Sequence, residues 1–286
     1  MCTEVIRHAN GKINLTLDVT GTRQDGYHLV CMVMQSVALG DEVRLCKSTA
    51  PGIHLQMKGC DLPGDESNIA YRAAQALRVS GVSIEIEKHI PIAAGMAGGS
   101  TDAAAVLLGC NELFGLGLST QQLCEIGLKL GADVPFCIMG GTMLAEGIGE
   151  ELRPLPSLRL PEGGVILLAR PEAFVSTKEV YQKLDAVCPK DHPDTQGMIQ
   201  ALEKEDYPGI AARLQNVLEE VTIPMHPVIG RIKEIMKEQG ADGALMSGSG
   251  PTVFGLFSSA EAAKKAAAQI REEKLTDTVI LTEPVR

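Results

Sequence analysis

Residues 91–105 read PIAAGMAGGSTDAAA, which sets Gly95, Gly98 and Gly99 just ahead of Ser100, Thr101 and Asp102. Glycine lets a backbone turn tightly and aim several N–H groups at one point. Upstream, VSIEIEK alternates apolar Val82, Ile84 and Ile86 with polar residues, the period of a strand. Downstream, DAAAVLLGCNELFG combines helix formers with helical apolar spacing and stops at Gly115. A strand, a glycine loop and a helix start make an anion cradle, because free N–H groups and the helix dipole add up there. Phosphate is its natural guest. No lysine follows the glycines, so a P-loop NTPase is excluded, and the mismatch to G-x-G-x-x-G weakens a dinucleotide fold. A tight connection that uses glycine only for its backbone angles is the plainer alternative. Ser100 and Thr101 read either as N-caps or as hydroxyls for a phosphate or a phosphate-bound Mg2+.

Other residues are candidates on type and spacing. Lys12 and Asn14 are two apart in KINLTLDV and share a strand face, where an ammonium and an amide could hold a substrate oxygen and a phosphoryl group. Against that, the same face with Thr16 and Asp18 reads as solvated, and residue types alone favour the solvated face. Asp133, in LGADVPFCIM, lies between a helix end and an apolar run where burial is expected; it is a candidate base or a turn-stabilising carboxylate. An aspartate beside a lysine and facing a phosphate loop would form a phosphotransfer site. Tyr27 and His28 follow the turn QDG, in a chain with four tyrosines, five phenylalanines and no tryptophan, so a loop aromatic is a candidate stacking surface. MSGSGP, residues 246–251, is a second tight glycine segment and reads at least equally as a strand-to-strand turn.

The elements that must position these residues follow from periodicity. KINLTLDV, HLVCMVMQSVAL, DEVRLCK and GIHLQMKG read as strands, and SNIAYRAAQALRVSG as a helix capped by Ser67 and stopped at Gly81. STQQLCEIGLKLG is a helix capped by Ser119. RPLPSLRLPEGG, rich in proline and glycine, marks a boundary between residues 1–157 and 158–286. Beyond it come the strand GVILLARP, STKEVYQKL, a polar loop near CPKDHPDTQG, and helices over 197–203 and 227–239. Two strands flanking the second glycine segment, the helix SAEAAKKAAAQIREEK and the strand TVILTEPV complete the chain. Mixed strands and helices without regular βαβ alternation make an α+β fold.

The 26 basic and 36 acidic side chains leave a net charge of −10, with no basic stripe, so nucleic acid is not an expected partner. Any phosphate must then be held by local groups rather than by the overall field. No stretch reads as membrane-spanning or as a signal peptide, and eight cysteines at 2, 31, 46, 60, 110, 124, 137 and 188 show no C-x-x-C pair. A reduced, cytoplasmic protein without structural metal is expected.

The glycine stretch closely resembles the signature P-x-x-x-G-[LM]-[GA]-G-G-[ST]-[ST]-[DN]-A-A of the galactokinase, homoserine kinase, mevalonate kinase and phosphomevalonate kinase (GHMP) superfamily. KINLTLDVTGTRQDGYHLV, LGADVPFCIMGGTMLAEGIGE, FVSTKEVY and MSGSGPTVFGLF are similar, in order and over nearly the whole chain, to the members that act on a cytidyl substrate. The resemblance implies a two-lobed α+β kinase with its active site in the inter-lobe cleft. It implies ATP with Mg2+, no permanently bound cofactor, and phosphorylation of the 2-hydroxyl of 4-diphosphocytidyl-2-C-methylerythritol in non-mevalonate isoprenoid synthesis. By matched position, Asp133 is the catalytic aspartate, Lys12 its cationic partner, and Asn14 lies near the methylerythritol hydroxyls. Pro91, Ala94, Gly95, Met96, Ala97, Gly98, Gly99, Ser100 and Thr101 match the ATP loop, and Asn68 the adenine contact. Tyr27 and Tyr181 match two aromatics that sandwich cytosine, with His28 reading its edge. Two departures are Gly11 just before Lys12 and Val217 where many members carry aspartate. The expected partners are the substrate and ATP, with no nucleic acid and no membrane, in a monomer or homodimer. Another kinase of the superfamily and a non-catalytic nucleotide-binding regulator are the alternatives.

Overall fold

The computed structural model describes residues 3–187, 189 and 191–285. Cys2 and Cys188 of the cysteine set, and Lys190 of the polar loop, lie outside the described residues. The chain forms two compact units that alternate along the sequence. The first comprises Met1–Gly11, Leu39–Ile92 and Ala97–Gly140, and the second Lys12–Ala38, Ala93–Met96 and Gly141–Arg286. Residues 157 and 158, where composition sets a boundary, both fall in the second unit.

Two long strands, β1 (Glu4–Thr22) and β2 (His28–Lys47), contribute residues to both units. HLVCMVMQSVAL and DEVRLCK, expected as two strands, are one. Gly40 allows the continuity, since a Cβ there would lie 2.9 Å from both the Ala9 carbonyl oxygen and Asn10 Oδ1. In the first unit β3 (Ile53–Lys58) leads through α1 (Ile69–Ala76) to β4 (Val82–Glu87). β3 pairs parallel with β4, and β4 antiparallel with residues 42–47 of β2. Three helices follow, α2 (Gly98–Phe114), α3 (Thr120–Leu128) and α4 (Val134–Met139).

Val43, Leu45, Val82, Ile84 and Ile86 form the apolar side of this sheet, covered by Ala70, Ala73 and Ala74 of α1 and Ala103, Ala104, Val106, Leu107 and Cys110 of α2. The alanine run is thereby explained: small side chains on both helices let α1 and α2 pack closely. Ser119 caps α3 as expected, and with Gln122 it forms a capping box. Ser67 does not cap α1. Its hydroxyl donates to Asp65 at 2.6 Å, and Asn68 is the cap instead, accepting from Ala70 N at 2.9 Å. Nor does Gly81 stop that helix, which ends at Ala76; Gly81 leads into β4.

In the second unit β5 (Thr142–Glu146) pairs antiparallel with residues 32–35 of β2 and with β6 (Glu151–Pro154). After β7 (Val165–Ala169) come α5 (Thr177–Val187), α6 (Thr195–Glu203), α7 (Tyr207–Ala212), the two-residue β8 (Gln215–Asn216) and α8 (Glu219–Met225). The chain closes with α9 (Pro227–Glu238), β9 (Gly243–Met246), β10 (Val253–Phe257), α10 (Ala260–Glu272) and β11 (Val279–Thr282). An antiparallel sheet in the order β11-β7-β10-β9 is the frame of this unit. Ile229, Ile232, Ile235 and Met236 of α9, with Ala263, Ala266 and Ile270 of α10, recur at helical spacing and are buried. β8 pairs parallel with β1, which sets Gln215 beside Thr16 and Asn216 beside Leu17.

Candidate active site

The polar face of β1 is not solvated. Lys12, Asn14 and Thr16 are 5%, 0% and 0% exposed, which overturns the reading that residue types alone favoured. A buried polar side chain must find partners. Thr16 Oγ1 accepts from Val33 N, Lys12 Nζ donates to Asn14 Oδ1 at 2.8 Å, and Asn14 Nδ2 lies 3.2 Å from Met32 Sδ. Lys12 N donates to the Met96 carbonyl at 3.1 Å, tying the strand to the glycine loop. Within its own unit the ammonium has a neutral amide as partner, so its charge is available to an anion.

The second glycine segment completes this corner of the second unit. Gly248 has φ +59°, and a Cβ there would lie 3.1 Å from the Gly95 carbonyl oxygen, 3.4 Å from Lys12 Nζ and 3.7 Å from Asn14 Oδ1. Gly95, φ +73°, approaches just as closely: its Cβ would be 2.5 Å from Ser247 O and 2.8 Å from Gly250 O. MSGSGP does connect two strands, β9 and β10, and it also packs its backbone against the Lys12–Asn14 pair. Asn216 holds it there, donating from Nδ2 to the carbonyls of Met246 at 2.9 Å and Gly248 at 2.8 Å. Thr222 Oγ1 donates to Ser249 O, and the Thr177 and Ser249 hydroxyls are 2.8 Å apart. Sequence reading missed Asn216, Thr177 and Thr222 as site-building residues. The available signal was Asn216 directly before the apolar pair Val217 and Leu218 in LQNVL.

Along the first glycine loop, Ala93, Gly95 and Ala97 have φ of +53°, +73° and +58°. Left-handed residues recurring along a turn are a feature of backbone anion nests. Two of the three are alanines, in a conformation that is unfavourable for any residue with a Cβ. Ala94 and Met96 are buried, so their contribution is backbone, and Pro91 is half-buried. In the first unit, Ala97 precedes α2 with no side chain capping the helix. The first helical bond runs from Thr101 N to Ala97 O, leaving the N–H groups of Gly98, Gly99 and Ser100 without intrahelical partners. Neither hydroxyl is an N-cap: Thr101 Oγ1 donates to Asn10 O at 2.7 Å, and Ser100 lies in the first turn near Gly131.

Asp133 is half-buried rather than fully buried, at the N-terminus of α4. Its carboxylate makes no capping bond to that helix, so the turn-stabilising role is not adopted. Asn68, expected at adenine, uses Oδ1 as the α1 cap and Nδ2 to donate to Pro63 O at 2.9 Å.

Back in the second unit, Tyr27 is 62% exposed on a turn closed by the 2.7 Å bond from Arg23 N to Tyr27 O. The adjacent His28 ring lies 4.9 Å from the Tyr181 ring, tilted by 40°, and its Nε2 is 2.8 Å from Asp185 Oδ1. His28 and Tyr181 are therefore brought together, with an aromatic left projecting beside them. Among the described residues no cluster of three His, Cys, Asp or Glu side chains forms a metal site, and no helix is long and apolar enough to cross a membrane.

The uncapped helix start of the first unit and the buried ammonium beside a glycine turn of the second are each suited to an anion such as phosphate. The models of the GHMP kinases N terminal domain and of the GHMP kinases C terminal domain match residues 68–141 and 198–275, which defines the class: the protein is a kinase of the GHMP fold. The chain is 50% identical over 258 residues to the 4-diphosphocytidyl-2-C-methyl-D-erythritol kinase of Clostridioides difficile (strain 630), covering 88% of this chain and 86% of that one. A crystal structure of 4-(cytidine 5'-diphospho)-2C-methyl-D-erythritol kinase superposes with a TM-score of 0.81 at 32% identity, over 97% and 98% of the two chains. The homoserine kinase from Cytophaga hutchinsonii has the same fold at 22% identity and a TM-score of 0.74, over 100% and 95% of the two chains. The chain belongs to the 4-diphosphocytidyl-2-C-methyl-D-erythritol kinase family.

Proposed function

We propose that this kinase transfers the γ-phosphoryl group of ATP to the 2-hydroxyl of 4-diphosphocytidyl-2-C-methyl-D-erythritol, giving the 2-phosphate and ADP, in non-mevalonate isoprenoid precursor synthesis. The acceptor follows from the names of the relatives. The observation that carries the chemistry is the buried Lys12–Asn14 pair, with the carbonyl of Gly95 and the backbone of Gly248 held against it. Phosphoryl transfer passes through a loose transition state, so catalysis is mostly positioning and charge neutralisation. Free N–H groups at Gly98, Gly99 and Ser100 receive the phosphates, and Lys12 offsets charge on the transferring group. Asp133 takes the proton of the 2-hydroxyl as its oxygen bonds to phosphorus and the bond to the departing ADP oxygen breaks, with Lys12 as its cationic partner.

Tyr27 and Tyr181 stack on cytosine while His28 reads its edge, and Asn68 lies at adenine. The donor set fits Mg2+ carried in with the nucleotide, which keeps phosphate and water oxygens and needs few protein ligands. Ser100 is the hydroxyl for it, because the Thr101 hydroxyl is already committed to Asn10 O. When bound, Mg2+ neutralises phosphate charge. ADP release with Mg-ATP and the cytidyl alcohol, with mevalonate, homoserine and galactose run in parallel, tests the reading. Release with the cytidyl alcohol alone is expected; release with one of the others instead overturns the substrate.

A further inference from the structure

A second buried lysine, which the mechanism above does not use, lies in the first unit. Lys88 follows the last residue of β4, and its side chain is 5% exposed between the side chains of Asp41 and Asp102, 0% and 4% exposed. Nζ donates to Asp41 Oδ2, to Asp102 Oδ2 at 2.7 Å, and lies 3.5 Å from the Gly98 carbonyl oxygen. The other oxygen of Asp41 accepts from His89 N at 2.6 Å and Ile90 N at 2.8 Å. Asp102 Oδ1 is buried with no hydrogen-bond partner, and Lys88 holds the carboxyl through its other oxygen.

These contacts fall at the two ends of the glycine loop. His89 and Ile90 enter it, and Gly98 leaves it as the first residue of α2. Asp102, four residues on, points its side chain back along the first turn, as helical side chains do. Gly98 makes the approach possible, since a Cβ there would press on Ile90 Cγ2 at 3.2 Å and lie 3.5 Å from Lys88 Nζ.

We propose that Lys88 is a positioning residue for ATP: anchored on Asp41 and gripping Asp102, it fixes the entry and exit of the loop, and so the direction in which the free N–H groups of Gly98, Gly99 and Ser100 meet the phosphates. The proposal rests on the reading of that turn as the phosphate cradle. Two carboxylates facing one ammonium leave one negative charge over. Burial, with Asp41 adding to it, pushes the Asp102 carboxyl up to about 8 despite Lys88, which limits the negative charge held near an incoming phosphate. At Lys88 burial acts against the charge, but Asp102 and Asp41 outweigh it and raise its pKa.

The test compares Lys88→Met, Lys88→Arg and Asp102→Asn with the parent by titration of Mg-ATP, by the KM of each substrate and by melting temperature. Misplacing a binding group by about 1 Å costs on the order of 10²-fold. We expect Lys88→Met to lose about that much in kcat/KM for ATP with the KM for the acceptor alcohol unchanged, and Asp102→Asn, which keeps an oxygen acceptor for Lys88, to stay near the parent. Lys88→Arg keeps the charge and the ion pairs but not the fit over Gly98; it is expected to raise the KM for ATP and serves if Lys88→Met does not fold. A folded Lys88→Met or Lys88→Arg with parental KM for ATP overturns the proposal. Absence of ATP binding to the parent overturns the cradle itself, a distinguishable failure.

Discussion

Two lysines, each about 5% exposed, differ in what surrounds their charge. Lys88 faces two carboxylates, whereas Lys12 is bonded to a neutral amide and packed beside the backbone of Gly248. A buried charge matched by opposite charges is satisfied in the folded chain. One whose nearest partner is an amide keeps its field for a charge that arrives later, which in the proposed reaction is a phosphoryl group. Burial alone therefore does not tell these two lysines apart; their partners do.

The largest effect that sharpens this contrast is on stability. Lys88→Met leaves the buried Asp41 and Asp102 side chains without their cation and should cost about 3–5 kcal/mol, read as a lower urea midpoint. Lys12→Met should leave the midpoint unchanged or raised while kcat falls about 10²–10³-fold. Equal stability losses in the two variants would erase the distinction. Asp133→Asn should keep the fold and ATP binding and lose at least about 10²-fold in kcat; near-normal turnover would remove it as base. Asn216→Ala leaves the Met246 and Gly248 carbonyls short of a donor and should cost about 1–3 kcal/mol, with a raised KM for both substrates if the turn shifts.

A further expected effect is a pH slope. The Asp102 carboxyl titrates in the folded chain at about 8, well above its ordinary 3.8, so the folded form binds more protons between those values. Stability should fall as pH rises across that window, because the unfolded chain gives up its proton first. Urea midpoints at pH 5, 6.5 and 8 should show a shallower slope in Asp102→Asn than in the parent. Identical slopes would mean that another group carries the dependence.

Much of the fold was legible. Alternation gave β3 and β4, short apolar runs gave β7 and β11, α3 was read with its Ser119 cap, α10 was read as a helix, and Gly115 ended α2 as expected. The misreadings were local competitions. Ser67 lost the cap because its hydroxyl bonds Asp65, and β2 runs through Gly40 because β1 passes close to it. The short α7, β8 and α8 went unread because segments of seven residues or fewer carry little periodicity.

The sequence by itself determined the α+β class, the glycine-to-helix start and, through resemblance, the kinase family, since each rests on residue types at short, fixed spacing. Only the tertiary structure decided that Lys12 and Asn14 are buried, that the Ser247–Gly248 turn packs on them under Asn216, and that Lys88 ties together two ends of one loop. Those facts depend on contacts between residues far apart in the chain, which backbone closeness and burial set and which no local pattern encodes.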